Sequence, residues 1–182
     1  STGGIPNLQY GDYHALVIGN NKYDELPDLR TAVSDARAIA NLLEVDYGFN
    51  VTKLENATRY ETLIAIRDLR SEIGKDDNVL IYYAGHGYLD ADSDEGYWLP
   101  SDADDTRVNW ILTSGIVSNI KAMQAKHVMI VADSCFSGTL TRGLKIEQRT
   151  PDYLQRIVGL KARTAMTSGG LEPVMDGGGG RY

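Results

Sequence analysis

Cysteine occurs once in this chain, at position 135, and histidine only three times. A single cysteine makes no internal disulfide, and so few histidines supply no cluster at zinc-ligand spacing, so neither kind of staple holds the fold. Cations are also scarce: 18 Lys and Arg face 25 Asp and Glu, for a net charge of −7. Affinity for nucleic acid comes from neutralising phosphates with basic residues, so a nucleic-acid partner is not expected. No apolar run approaches the roughly 20 residues that span a bilayer. No signal-peptide pattern opens the chain, and the cytoplasm is the favoured compartment, although the missing initiator Met leaves room for a removed targeting segment.

What is present is the composition of a soluble domain, 42% hydrophobic and 24% charged over 182 residues. That length suits one domain with a substantial core. Short apolar runs alternate with helix-period segments. His14 to Gly19 reads as a buried strand, and Asp28 to Glu44 as a helix with Leu29, Ala32, Val33, Ala36, Ile39, Ala40 and Leu43 on one face. Phe49 to Leu54 reads as a strand, and Thr58 with Glu61 forms a capping box opening a second helix that buries Leu63, Ile66, Leu69 and Ile73. Asn78 to Ala84 is apolar on both faces, as in a central parallel strand. Residues 88–109 read as loops with a short hairpin around Tyr97-Trp98-Leu99, Leu112 to Met123 as a helix, and His127 to Ala132 as a buried strand. A linker, a short helix from Pro151 and a fifth strand from Lys161 to Thr167 complete the reading, before a glycine run that cannot be core. Such alternation implies an α/β fold, a mostly parallel sheet covered on both faces.

In open α/β sheets ligands bind beyond the carboxyl ends of the strands, where Gly85-His86-Gly87 and Asp133-Ser134-Cys135 both fall. A cysteine attacks as its thiolate, which a nearby imidazole can generate, and His86 is the candidate. Backbone N–H groups of Gly87 and Cys135 are suited to polarise a scissile carbonyl. Taken singly, a lone buried cysteine or a turn histidine is more often structural.

Together, Tyr83-Ala84-Gly85-His86-Gly87 and Asp133-Ser134-Cys135-Phe136-Ser137-Gly138 resemble the His and Cys motifs of the caspase-like cysteine peptidases. The pattern is most like that of metacaspases and bacterial caspase homologues (orthocaspases) within the clan of caspases, metacaspases and paracaspases. The separation of 49 residues from His86 to Cys135 matches the caspase spacing of about 50. The resemblance implies a three-layer α/β/α sandwich, one peptidase domain over 1–182, with a large-subunit-like part at 1–138, a linker at 139–150 and the start of a small-subunit-like part at 151–182. It implies a thiol protease working through an acyl-enzyme, with a Cys135–His86 dyad and no buried third acid assignable. Caspases carry a glutamine two residues before the nucleophile and a basic pocket selecting aspartate. Here Asp133 stands at that position, on the Cys135 side of an extended segment. Leu29 to Asp35 resembles the metacaspase stretch whose acid, here Asp35, forms the pocket floor with its partner at the Asp133 position. Two converging carboxylates favour a substrate guanidinium or ammonium, hence cleavage after Arg, then Lys.

By the same resemblance, substrate pairs with the backbone around Thr167, Ser168 and Gly169. Arg30 is read as structural. No cofactor is required; the acids Asp90, Asp92, Asp94, Glu95, Asp102, Asp104 and Asp105 are suitable calcium donors, but they do not follow an EF-hand spacing. A sixth strand expected after the glycines is missing, so either the sequence is truncated there or a separate C-terminal fragment or a partner chain is expected to cover the fifth. Arg142, Lys145, Arg149 and Arg181 are possible self-processing points. Two alternatives stay open: a caspase homologue with a different primary specificity, and a catalytically silent scaffold, although a scaffold has no chemical need for both His86 and Cys135. A flavodoxin-like nucleotide binder lacks its phosphate-cradling glycine fingerprint.

Overall fold

The computed structural model describes residues 11–90, 92–93, 95–134 and the backbone of the strand at 162–167. Five strands form a parallel sheet: β1 (Tyr13–Gly19), β2 (Asn50–Glu55), β3 (Asn78–Ala84), β7 (His127–Asp133) and β8 (Ala162–Thr167), in the order β2-β1-β3-β7-β8. Three short antiparallel strands, β4 (Gly87–Asp90), β5 (Glu95–Trp98) and β6 (Ile111–Leu112), make a second sheet. The helices are α1 (Ala32–Val45), α2 (Arg59–Glu72) and α3 (Thr113–Ala122).

Strand alternation sorts the central residues onto two faces. Ala15, Val17, Tyr82 and Ala84 pack with Ala32, Ala36, Ala40 and Leu43 of α1. Leu16, Ile18, Ile81, Tyr83, Val128, Ile130 and Ala132 face the other way, onto Ile66 and Leu69 of α2 and Ile116, Val117 and Ile120 of α3. The result is the α/β/α sandwich expected from the sequence. Gly19 lets α1 come close, since a Cβ there would sit 2.6 Å from the Ala36 Cβ and 2.7 Å from the Ala32 carbonyl oxygen.

Two boundaries differ from the sequence reading. The helix begins at Ala32 rather than Asp28, because residues 20–31 are tied into a loop by their own polar groups. Leu29 N–H donates to the Asn21 carbonyl, and the Asn21 side-chain oxygen accepts from Val33 N–H, capping α1 from outside the helix. There is more strand around the segment 88–109 than expected, since β4 starts directly at Gly87 and β6, just beyond the segment, adds a third strand. Trp98 fixes that sheet against the core by stacking on Tyr83, with centroids 4.2 Å apart and planes 4° from parallel. The capping box of Thr58 and Glu61 forms as expected.

Candidate active site

The sheet order reverses direction between β1 and β3, the kind of point at which open α/β sheets hold ligands beyond the strand ends. Loop 20–31 leaves β1 there, and the Gly85-His86-Gly87 turn leaves β3. Ala84 pairs with Asp133, and Gly85 N–H approaches the Asp133 carbonyl at 3.4 Å. The histidine turn is thus tied to the strand that runs into Cys135. Cys135 itself lies outside the described residues, as do Ser168, Gly169, the linker 139–150 with Arg142, Lys145 and Arg149, the Pro151 segment and Arg181.

His86 is held from several sides. Its Nε2 lies 2.8 Å from the Pro27 carbonyl oxygen. Its backbone N–H donates to the Tyr23 hydroxyl at 2.9 Å, and the two rings sit 4.7 Å apart. Its carbonyl accepts from the Tyr83 hydroxyl at 2.8 Å and from Leu99 N–H at 3.0 Å. Because a carbonyl only accepts, the Pro27 contact places a proton on Nε2 and leaves Nδ1 as the basic nitrogen of the neutral ring. Burial pushes the Tyr23 phenol up to about 12 despite the His86 N–H bond, so it stays neutral.

Sequence reasoning missed these supports. Tyr23 and Pro27 are presented by a loop that asparagines build: buried Asn20 accepts from Ala57 N–H through its side chain and donates its own N–H to Ala84. Asn56, in the left-handed region at φ 51°, accepts from both Asn21 and Lys22 N–H. The available signal was the Asn20-Asn21 pair directly after a strand-ending glycine, with Asn56 directly after β2. Gly85 is required by the same arrangement, as a Cβ there would lie 2.7 Å from the Tyr83 hydroxyl and 2.9 Å from that of Tyr23. Gly87 falls next to the hydrogen-bonded His86–Leu99 position, so antiparallel alternation turns its N–H away from β5.

Asp35 and Asp133 are brought to one side of the sheet. Asp133 alternates with the core-facing Ala132 and shares the α1 face with Val131, while Asp35 lies in the first turn of α1 beside Ala36. Both carboxylates, after burial itself, raise the pKa of Tyr82, which stands between α1 and the β7 end. Arg30 is exposed, and its carbonyl accepts from the Asn21 side chain.

Three of the acids after the histidine turn are tied into local structure. Asp90 receives Asp92 and Ser93 N–H and pairs with Arg107, Asp102 receives Arg59 N–H, and Asp104 receives Thr106. Asp94 lies outside the described residues. Among the described residues the metal-competent side chains that gather are Asp12, His14 and Asp77, at the opposite end of the sheet. There the Asp77 oxygens already accept Asp12 and Gly74 N–H, stapling the starts of β1 and β3.

The strand order alone is shared with flavodoxin-like nucleotide binders and does not decide the family. Residues 12–171 match the family model of the caspase domain. The chain belongs to the caspase family of cysteine peptidases. Caspase-family relatives include the human mucosa-associated lymphoid tissue lymphoma translocation protein 1, 39% identical over 77 residues, which are 42% of this chain and 9% of that protein. Metacaspase-1 of Emericella nidulans is 26% identical over 155 residues, covering 73% of this chain and 38% of that protein. The chain therefore spans less than half the length of these relatives. Among solved structures, protein GSU0716 from Geobacter sulfurreducens superposes with a TM-score of 0.58 at 23% identity, over 82% of this chain and 60% of that one, a likeness of fold. No helix of the described residues is long and apolar enough to cross a membrane.

Proposed function

We propose that this caspase-family chain is an endopeptidase that cleaves after Arg, and less well after Lys. The observation that carries the reading is the placement of Asp35 and Asp133 on the α1 face at the carboxyl end of the sheet, both acting on Tyr82 beside the His86 turn. Two carboxylates there attract a guanidinium through charge-assisted, bidentate hydrogen bonds and repel the aspartate that a basic caspase pocket would take.

In this mechanism His86 Nδ1 takes the Cys135 proton, and the Pro27 carbonyl stabilises the resulting imidazolium through Nε2–H. The thiolate adds to the scissile carbonyl, whose oxyanion is received by the N–H groups of Gly87 and Cys135. The imidazolium then protonates the leaving amine, giving an acyl-enzyme that water hydrolyses with His86 as base. The carbonyl acts as orienter where a carboxylate would serve in a triad. Substrate backbone pairs beside Ser168 and Gly169. Arg142, Lys145 and Arg149 are self-processing points, and no step needs a metal.

Peptides ending in a reporter amide test the reading. Turnover is expected after Arg, weaker after Lys and absent after Asp, with loss in Cys135→Ala and no change on adding a chelator or calcium. Cleavage after Asp and not after Arg overturns it. Mass spectrometry showing the 139–150 segment intact in active enzyme, and identical in Cys135→Ala, removes self-processing.

A further inference from the structure

Tyr82 is the only aromatic residue and the only residue with a polar side chain among the buried members of the cluster on the α1 face, and it is only 6% exposed. The other buried members of that cluster are aliphatic: Ala15, Val17, Ala32, Ala36, Ala40, Leu43 and Ala84. Phenylalanine would fill the same space, so packing alone does not call for the hydroxyl. The hydroxyls of the two nearby tyrosines bond the main chain, Tyr23 to the Asn20 carbonyl and Tyr83 to those of His86 and Leu99.

The position of Tyr82 follows from register. It pairs with Val17 on one side and Val131 on the other, two residues before the Ala84–Asp133 pair, so Tyr82 and Asp133 stand on the same face of adjacent strands. Asp35 approaches from the α1 side, one residue before Ala36 of the same cluster. The fields of both carboxylates reach the phenol, and with burial they keep it neutral at any working pH.

We propose that the Tyr82 hydroxyl is a specificity-determining group at the base of the basic-residue pocket, acting as the uncharged acceptor that distinguishes a guanidinium from an ammonium. The inference rests on the arginine-pocket reading of Asp35 and Asp133. A guanidinium presents five N–H donors in a plane, more than two carboxylates meet without help at their far edge; a lysine ammonium has three donors and is satisfied by the carboxylates alone. The phenol oxygen accepts the additional guanidinium N–H, while its own proton goes to a carboxylate and orients it. Tyr82 thus favours Arg over Lys, whereas the acids favour any cation over a neutral or acidic residue.

The test compares kcat/KM for matched Arg and Lys reporter peptides in wild type, Tyr82→Phe and Asp133→Asn. Tyr82→Phe is expected to lower the Arg-to-Lys ratio roughly ten-fold, the worth of one hydrogen bond to a charged group, with Lys turnover nearly unchanged. Asp133→Asn is expected to depress both peptides together. An unchanged ratio in a Tyr82→Phe enzyme that still prefers Arg overturns the role of Tyr82 and leaves the pocket standing. A wild type without preference for basic residues overturns the pocket and this inference with it. Should Tyr82→Phe fail to fold, Tyr82→Met removes the same hydroxyl with a more adaptable side chain and carries the same expectation.

Discussion

The imidazole Nε2 of His86 and the Pro27 carbonyl oxygen, 59 residues apart in sequence, lie 2.8 Å from each other. This contact fixes which nitrogen carries the proton in the neutral ring, and therefore which one would receive the thiol proton in the proposed mechanism. Nitrogen-15 NMR of histidine-labelled protein, with the ring neutral, is expected to show the Nε2–H tautomer. An Nδ1–H tautomer would remove Pro27 from the mechanism.

In the proposed mechanism Tyr23 is a positioning residue, since what it touches is His86. Tyr23→Phe keeps the ring and leaves His86 N–H without its acceptor, a loss of about 1–3 kcal/mol shared between stability and the alignment of the turn. A fall in kcat of about ten-fold with KM little altered is expected from steady-state kinetics. Alkaline unfolding gives a second readout. The native phenol ionises near pH 12, against 10 for the free group, so its contribution is complete below pH 10 and is lost as pH rises from 10 to 12. Tyr23→Phe is expected to flatten that part of the stability profile, leaving the share of Tyr82 and Tyr83, whose phenols are also pushed up.

Gly85 is fixed by contact. Alanine at this position brings a Cβ within 3 Å of two tyrosine hydroxyls, both of which hold His86. Overpacking of this kind costs about 1–3 kcal/mol, and the strain falls directly on the turn. Gly85→Ala is expected to melt at a lower temperature and to lose more activity than its remaining folded fraction accounts for. Activity proportional to the folded fraction would show that the turn tolerates the shift.

On the far side of α1, the Glu55 carboxylate is held down to about 2 by hydrogen bonds from the Arg37 guanidinium. Its contribution is present above the ordinary glutamate range and is lost as pH falls from about 4.5 towards 2. The pair is at the surface, so the effect is small and weakens with salt. Arg37→Ala is expected to reduce the loss of stability across that acid range without changing turnover at neutral pH, as read by denaturant melts at several pH values.

Much of this was legible because it is periodic or local. Strand and helix alternation, the Thr58–Glu61 box and the apolar Asn78–Ala84 run each announce themselves within a few residues. The two-residue strand period puts Asp133 on the side of Cys135, which lies outside the described residues; in the structure Asp133 alternates with Ala132 and falls on the α1 face. Loop 20–31 was not legible. Pro27 acts through a backbone carbonyl that any residue possesses, and Tyr23 reaches His86 across 63 positions through loop geometry set by Asn20, Asn21 and Asn56. The helix start was placed four residues early because Leu29 fits the helical stripe, whereas its N–H belongs to the Asn21 carbonyl. Side-chain hydrogen bonds from asparagine overrode a good hydrophobic period.

The most direct measurement is covalent labelling of the native chain by a peptide that carries arginine before an electrophilic carbonyl, followed by mass mapping. The account predicts a single adduct on Cys135, absent in Cys135→Ala, strongly reduced in Asp133→Asn, and not formed by the aspartate-bearing counterpart. Labelling by the aspartate peptide instead, or arginine labelling that persists without the Cys135 thiol, would contradict it.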